Sequence, residues 1–335
     1  MMKFAIIGFG GLGKVHYSTI PEVFRRVKDI QLVAICDIDE SAFHVQKKIN
    51  LETDSVDLDL SAYHLYTDVD ELLEKEDIDF VITALPTCIH EKIAVKAMEK
   101  GIHVFSEKPM ALNYEQGVHM LETARKNNVK LMIGQCLRFE APYVVLKNMI
   151  LSKEYGEVVF AEFNRISPLV VWSSQNWMLD ESKSGGAALD MHVHDVDFIQ
   201  WMFGTPKAVT SFANNRICKH STICTTYHYD DKLVISRGDC GMPQGFPFSQ
   251  DYTVRFERAT VILSRSGIKL YPEDGVAIDI PVPVSTHMAD EMEDFICCIR
   301  EDRESQMNPP ESSLLSLRIA LAEKESADTG KTIAL

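Results

Sequence analysis

The segment Gly8-Phe9-Gly10-Gly11-Leu12-Gly13 constrains this chain more than any other. It follows a short apolar run at 4–7 and opens a helical stretch at 13–27. Three glycines at this spacing have separate physical uses. Gly8 permits a tight turn, Gly10 lets a pyrophosphate approach the backbone, and Gly13 lets the helix pack closely on the strand. Gly11 and Leu12 then present amides at a helix N-terminus, where unpaired N–H groups and the helix dipole favour an anion. Asp37 lies 24 residues beyond Gly13, at the end of the next apolar run, 31–36. A carboxylate there can accept both hydroxyls of an adenosine ribose and would repel a 2′-phosphate. Ile38, Asp39 and Glu40 follow, with no nearby Arg, so the pattern favours NAD over NADP. The competing role for Asp37 is a helix N-cap.

The chain has 335 residues, more than one ordinary domain and enough for two. Apolar runs at 4–7, 31–36, 79–85, 103–105 and 130–133 alternate with helical patterns at 13–27, 40–51, 91–100 and 114–127. Continuous apolar strands alternating with helices imply an α/β fold with a parallel, doubly wound sheet, whose ligands bind at one edge. Residues 52–62 are acidic and weakly periodic and read as a loop insertion. Beyond about residue 155, short β-rich runs separated by polar turns predominate, with Tyr229-Asp230-Asp231-Lys232 as a hairpin signal. Helical patterns at 189–203, 287–300 and 311–329 complete an α+β domain on a mostly antiparallel sheet. The expected division is 1–134 and 135–335.

A net charge of −15 disfavours nucleic acid and anionic membrane surfaces, which recruit Lys and Arg. No run approaches the roughly 18–20 apolar residues of a membrane span. The cysteines form no CxxC pair, and several sit in apolar runs, as buried thiols of a cytoplasmic protein would.

Several ordered motifs then point to a family: GFGGLG, ALPTCIH, AMEKGIHVFSEKP, GQCLRF and SGGAALDMHVHDVDFIQWMFG. With these the chain resembles the Gfo/Idh/MocA oxidoreductases, the glucose–fructose oxidoreductase and inositol dehydrogenase family, over nearly its whole length. The resemblance implies an N-terminal Rossmann domain and a C-terminal domain whose open sheet builds a homo-oligomer, dimer or tetramer. The second domain is then the substrate-binding and oligomerisation domain.

Oxidation of an alcohol needs a base for the hydroxyl proton, and histidine suits that task because its pKa lies near neutral pH. Asp190 and His194 are four residues apart, hence on one face if the segment is one helix. The resemblance implies His194 as general acid/base and Asp190 as its partner. It also places Lys108, from Glu107-Lys108-Pro109, beside the nicotinamide and the reacting oxygen, following a pattern in which Pro109 is preceded by a cis bond. Glu107 touches the cofactor ribose or orients Lys108. The competing readings are an i,i+4 surface pair for Asp190–His194 and a solvated loop lysine for Lys108.

His192 replaces the glycine usual in the family's Asp-x-Gly-x-His pattern. Two histidines at i,i+2 are poorly spaced ligands on a helix, and no metal is expected. His192 lines the substrate pocket or packs beneath the next loop. Leu85 ends the third apolar run, Pro86 and His90 follow it, and by the resemblance all three lie along the cofactor, although His90 is also readable as an ordinary first-turn helix residue. Arg138 stands at the substrate end or ties the domains by ion pairs. Trp172 and Trp177 offer faces for sugar C–H surfaces, or are core. His16 is either buried or near the nicotinamide.

These readings combine into an NAD-dependent oxidoreductase acting on a secondary alcohol or ketone carbon of a sugar, cyclitol or sugar derivative. The alternatives are a lyase or glycosidase that uses NAD catalytically, and an NAD-binding regulatory protein without turnover.

Overall fold

The computed structural model describes residues 1–45, 59–171, 173–284 and 286–335. Most of the expected loop insertion, and Trp172, lie outside the described residues. The chain divides into two units: Met1–Gln135 with Val171–Met178 and Met288–Leu314, and Cys136–Val170 with Leu179–His287 and Leu315–Leu335. Two segments beyond the expected boundary at 134/135 thus pack with the N-terminal unit.

The first unit is built on β1 (Met2–Ile7), β2 (Ile30–Cys36), β3 (His64–Tyr66), β4 (Phe80–Thr83), β5 (His103–Glu107) and β6 (Leu131–Gly134). All pairings are parallel, in the order β3-β2-β1-β4-β5-β6. Every residue of β4 and β6 is buried, which explains why these strands read as unbroken apolar runs rather than alternating ones. Strand order reverses at β1, whose neighbours are β2 and β4, so a crevice opens beyond the carboxyl ends of β1 and β4. The glycine turn and Leu85-Pro86 occupy those ends.

The helix His287–Glu301 completes this unit from far along the chain. Its residues Ala289, Met292, Phe295 and Ile296 belong to the same core as Phe4, Phe80 and Phe105. The Phe295 ring meets Phe80 and Phe105 edge-on, with centroids 5.6 and 5.7 Å away. Asn308 fastens the returning segment, donating to the Ile133 carbonyl at 2.6 Å and to Glu291 at 3.2 Å. Periodicity finds this helix but cannot say which sheet it covers, because its apolar face would suit either.

The second unit carries β7 (Val158–Pro168), β8 (Ala208–Asn214), β9 (Thr222–His228), β10 (Leu233–Met242), β11 (Ser249–Phe256), β12 (Ala259–Ser264), β13 (Gly267–Pro272), β14 (Ile278–Ile280) and β15 (Ile333–Ala334). The order is β14-β13-β12-β11-β7-β10-β9-β8-β15, antiparallel except for β7–β10. The hairpin at Tyr229–Lys232 forms with His228 opposite Leu233. In β9 and β10 buried residues alternate with more exposed ones, as a sheet covered on one face requires. No helix among the described residues is long and apolar enough to cross a membrane.

Phe295→Ala removes a fully buried ring from the N-terminal core. Deletions of this size cost about 3–5 kcal/mol, so the variant should unfold at markedly lower urea concentration in equilibrium denaturation; an unchanged midpoint would mean the helix is dispensable.

Candidate cofactor site and acid–base helix

The glycine turn is dictated by contacts that exclude any side chain. Gly8 has φ +91°, and a Cβ there would lie 2.3 Å from the Ala84 carbonyl oxygen. A Cβ on Gly13 would lie 2.0 Å from the Gly8 carbonyl oxygen. Gly10 differs: nothing stands within 4 Å of where its Cβ would be. The helix Gly11–Arg26 begins there with no side-chain cap and no acidic residue in its first turn. Two glycines therefore serve packing, the third leaves the backbone approachable, and the amides of Gly11 and Leu12 begin a helix suited to an anion.

Asp37 sits against this turn. Its Oδ2 accepts the Phe9 N–H at 2.7 Å and its Oδ1 the Asp39 N–H at 2.9 Å. The neighbouring short helix Glu40–Phe43 is capped by Asp39, not Asp37, so the capping role belongs to a different residue. The carboxylate is partly exposed beside the open Gly10 backbone. These residues fit the adenosine ribose and pyrophosphate of a dinucleotide: an uncapped helix start for the diphosphate, a carboxylate for the ribose hydroxyls.

Around β5 and the strand ends, a hydrogen-bonded set holds the Glu107-Lys108-Pro109 step. The Glu107 carboxylate is buried, 2.6 Å from His16 Nε2, and accepts the Lys108 N–H at 3.2 Å. It thus orients the lysine backbone, and His16 is the buried partner that orients it. Gly134 makes room, since a Cβ there would meet the Glu107 carboxyl at 3.2 Å. The Lys108–Pro109 peptide is cis, in accord with the family pattern. His90 requires a correction. Its imidazole is buried, with Nδ1 2.8 Å from the Pro109 carbonyl oxygen and Nε2 2.8 Å from that of Leu85. Burial holds its pKa below the ordinary value. It joins the two loops that carry Leu85 and Pro109. Leu85 and Pro86 themselves remain partly exposed.

In the second unit the expected single helix is interrupted. Ala187–Asp190 ends at Asp190, and Val193–Phe203 begins after Met191-His192. Asp190 and His194 therefore stand on consecutive helices rather than one. The second helix carries two further acids, Asp195 and Asp197, both buried. Asp197 receives Arg138 through Nε at 2.8 Å and NH2 at 2.7 Å, and also Ser316 Oγ at 2.8 Å. Asp195 receives Arg165 Nε at 2.8 Å, and Arg165 NH1 donates to Gln250 at 2.9 Å. Both ion pairs are buried, and a guanidinium offered bidentately is the group best suited to such a carboxylate. The sequence signal is acids recurring within an apolar helix, with Arg165 as an unassigned cation and Arg138 as one also readable as an ion-pair partner.

Arg138 and His192 both have buried partners, which favours the structural one of the two readings each carried. Arg138 is fully buried in its pair with Asp197, inside the second unit. His192 is fully buried too, 3.4 Å from Glu323 and 3.1 Å from Ser236 Oγ. Its ring packs on Gly238, where a Cβ would come within 2.9 Å of Nδ1. A β-strand glycine thus makes space for the histidine found here in place of a glycine. His194, by contrast, is only half-buried, with Nδ1 4.0 Å from Cys136 Sγ. Asp190 is nearly buried. Trp177 is half-buried in the irregular turn Ser174–Leu179, so it is not a core tryptophan. No group of three or more His, Cys, Asp or Glu placed to hold a metal occurs among the described residues.

Residues 2–135 match the oxidoreductase family described by its NAD-binding Rossmann fold, and residues 143–261 match the GFO/IDH/MocA C-terminal domain. The chain belongs to the GFO/IDH/MocA oxidoreductase family. A 2,7-anhydro-N-acetylneuraminate hydratase from Mediterraneibacter gnavus is 29% identical over 218 residues, 63% of this chain and 52% of the relative. A myo-inositol 2-dehydrogenase from Thermotoga maritima is 26% identical over 242 residues, 72% of this chain and 66% of the relative. The chain thus spans about half to two-thirds of the length of these curated relatives. The crystal structure of the WlbA dehydrogenase from Bordetella pertussis in complex with NADH and UDP-GlcNAcA aligns with TM-score 0.80 at 22% identity, covering 100% of this chain and 98% of that one. That likeness establishes the fold.

Two outcomes follow for this family member. Asp37→Ala should weaken NAD binding about tenfold or more, the loss of one to two charge-assisted hydrogen bonds, read by isothermal titration; unchanged affinity would remove Asp37 from the site. The second concerns pH. Burial pushes the Glu323 carboxyl up to about 8 and the His192 imidazole down to about 4. The folded chain therefore keeps the Glu323 proton to about pH 8, whereas an unfolded carboxyl releases it near about 4.3. Folding binds that proton, so stability falls as pH rises between those values. His192 acts on the acid side, lowering stability as pH falls from about 6.5 toward about 4. Glu323→Gln should gain stability relative to the parent more at pH ~8 than at pH ~6, measured by urea denaturation at both; an equal difference at both would contradict the shift.

Proposed function

We propose that the protein is an NAD-dependent oxidoreductase that transfers hydride between nicotinamide and a secondary alcohol or ketone carbon of a sugar, cyclitol or sugar derivative. Family membership supports the reaction class, and Asp37 beside the open glycine turn supports NAD over NADP. One observation carries the assignment of the proton step. On the helix Val193–Phe203, Asp195 and Asp197 are buried in guanidinium pairs, while His194 keeps a half-buried imidazole.

The roles follow from the chemistry of each side chain. Bound NAD supplies the hydride acceptor or donor. His194 takes the hydroxyl proton as the alcohol is oxidised and returns it in the reverse direction. Lys108 offers a cation to negative charge developing on the reacting oxygen. Asp190 stabilises the imidazolium form of His194. Glu107, held by His16, and His90, joining the Leu85 and Pro109 carbonyls, are positioning residues for Lys108 and the cofactor-side loop. Trp177 is a candidate sugar contact. The substrate is a small carbohydrate-like molecule, and nucleic acid and membrane are not partners.

A second reading is favoured by one comparison, the hydratase among the relatives. In a redox-assisted lyase or hydratase, transient oxidation acidifies the neighbouring C–H, elimination or hydration follows, and the hydride returns. Both readings use the same base. We also propose a homo-oligomer, dimer or tetramer, formed through the outward face of β8–β10, where Phe212 lies exposed in register with Cys224.

A polyol and sugar panel followed by nicotinamide absorbance distinguishes the readings: a dehydrogenase accumulates NADH, and the lyase converts substrate with none. His194→Ala should lower kcat by about 10²–10⁴-fold, the usual worth of a general acid–base group, with the NAD dissociation constant within about twofold of the parent. Retained turnover in that variant would overturn the proton-transfer assignment.

A further inference from the structure

Away from the groups assigned above, the second unit brings two thiols together. Cys218, in the turn between β8 and β9, and Cys240, in β10, have sulfurs 3.8 Å apart, and neither is in a disulfide. The backbone fixes this approach. The Ser221 N–H donates to the Cys218 carbonyl at 3.2 Å, and the Cys240 N–H donates to the Ser221 carbonyl at 2.9 Å. Side chains hold the turn as well: Asn215 Oδ1 accepts the His220 N–H at 2.7 Å, and the His220 ring meets Asp328 at 2.9 Å. The two sulfurs need approach by only about 1.8 Å to reach the disulfide length of about 2.05 Å.

The turn also touches the helix that carries Asp190. The Ala187 N–H, at the start of that helix, donates to the Lys219 carbonyl at 3.2 Å. Gly186 is packed so closely that a Cβ would lie 3.0 Å from the same oxygen. Lys219 is the neighbour of Cys218, so a single residue separates the thiol from the contact at the helix start.

We propose that Cys218 and Cys240 form a dithiol–disulfide switch, oxidised by a hydroperoxide, whose closure shifts the helix Ala187–Asp190. Its effect on catalysis rests on the proposed role of Asp190. Cys218 is partly exposed and Cys240 nearly buried, so the first meets the oxidant and the second resolves. The hydrogen bond from Cys240 lowers the Cys218 pKa, and the same contact together with burial raises that of Cys240. This asymmetry favours attack by the Cys218 thiolate. The thiolate sulfur attacks the O–O bond; an S–O bond forms, and the departing oxygen takes a proton and leaves as water or alcohol. Cys218 is thereby a sulfenic acid, oxidised by two electrons, and the peroxide is reduced. The Cys240 sulfur then attacks the Cys218 sulfur, forming the S–S bond and expelling water with the thiol proton. The sum is two thiols and one hydroperoxide giving a disulfide, one alcohol or water, and one further water. A pair of this kind suits a compartment where stable disulfides are rare and transient ones sense oxidants.

The test treats the reduced, full-length protein with one equivalent of hydrogen peroxide. Non-reducing peptide mapping should find the 218–240 linked peptide as the main product, reversed by dithiothreitol, with two thiols lost by thiol titration. Hydrogen–deuterium exchange of segment 187–190 should change at least fivefold on oxidation of the parent and stay constant in treated Cys240→Ser. A different main product, such as sulfinic acid at Cys218 or a bond to another cysteine, overturns the pair. Linkage without altered exchange overturns the coupling to the Asp190 helix. The mapping needs no variant to fold and no substrate. NAD titration of the reduced protein reports separately on the functional reading, so the two failures give different patterns.

Discussion

The close approach of three backbone segments at the end of β1 is the constraint on which the N-terminal unit depends. Gly8 abuts the Ala84 carbonyl beyond β4, and Gly13 abuts the Gly8 carbonyl, each at a distance no Cβ tolerates. Only this packing lets the helix Gly11–Arg26 start directly above the sheet edge, uncapped and with its amides outward. The turn also receives the Asp37 carboxylate, because the Phe9 N–H that it exposes is the group Asp37 accepts. The start of the helix and the seat of the Asp37 carboxylate thus share one steric basis. Side chains at Gly8 or Gly13 would disturb both together.

The second unit relies on a different physical device. Its central helix is apolar enough to be buried, yet it carries two acids that must be neutralised there. Arg138 and Arg165 do so with bidentate or near-bidentate geometry, and Ser316 and Gln250 fill remaining hydrogen-bond sites. An unpaired carboxylate at either place would cost several kcal/mol, roughly 3–5 when one partner of a buried pair is removed. The pairs hold the helix by its flanks and leave His194 as its half-buried titratable group.

Much of this was legible in the residues themselves. The glycine spacing, the position of Asp37 and the switch from unbroken to alternating apolar strands are local patterns, and local patterns survive in sequence. What sequence hid is long-range. The helix His287–Glu301 packs under a sheet formed some 150–290 positions earlier, and nothing in its own periodicity names that partner. Arg138 and His192 each carry two readings in sequence, at the substrate or packed away, because both are polar residues beside functional motifs. Each is in fact spent inside the second unit, Arg138 on Asp197 and His192 against Gly238 and Glu323. His90 braces the Leu85 and Pro109 loops, and Glu107, held by His16, takes the second of its two expected places, against the Lys108 backbone. A polar side chain next to a motif can serve the motif's geometry instead of its ligand, and only the buried partners tell the two apart.

A crystal structure of the protein with NAD tests the central claim most directly. The account requires the diphosphate at the amides of Gly10, Gly11 and Leu12 and the adenosine ribose hydroxyls on the Asp37 carboxylate. Dinucleotide bound elsewhere, or bound at the turn with Asp37 still closed on Phe9 and untouched by the ribose, would contradict it.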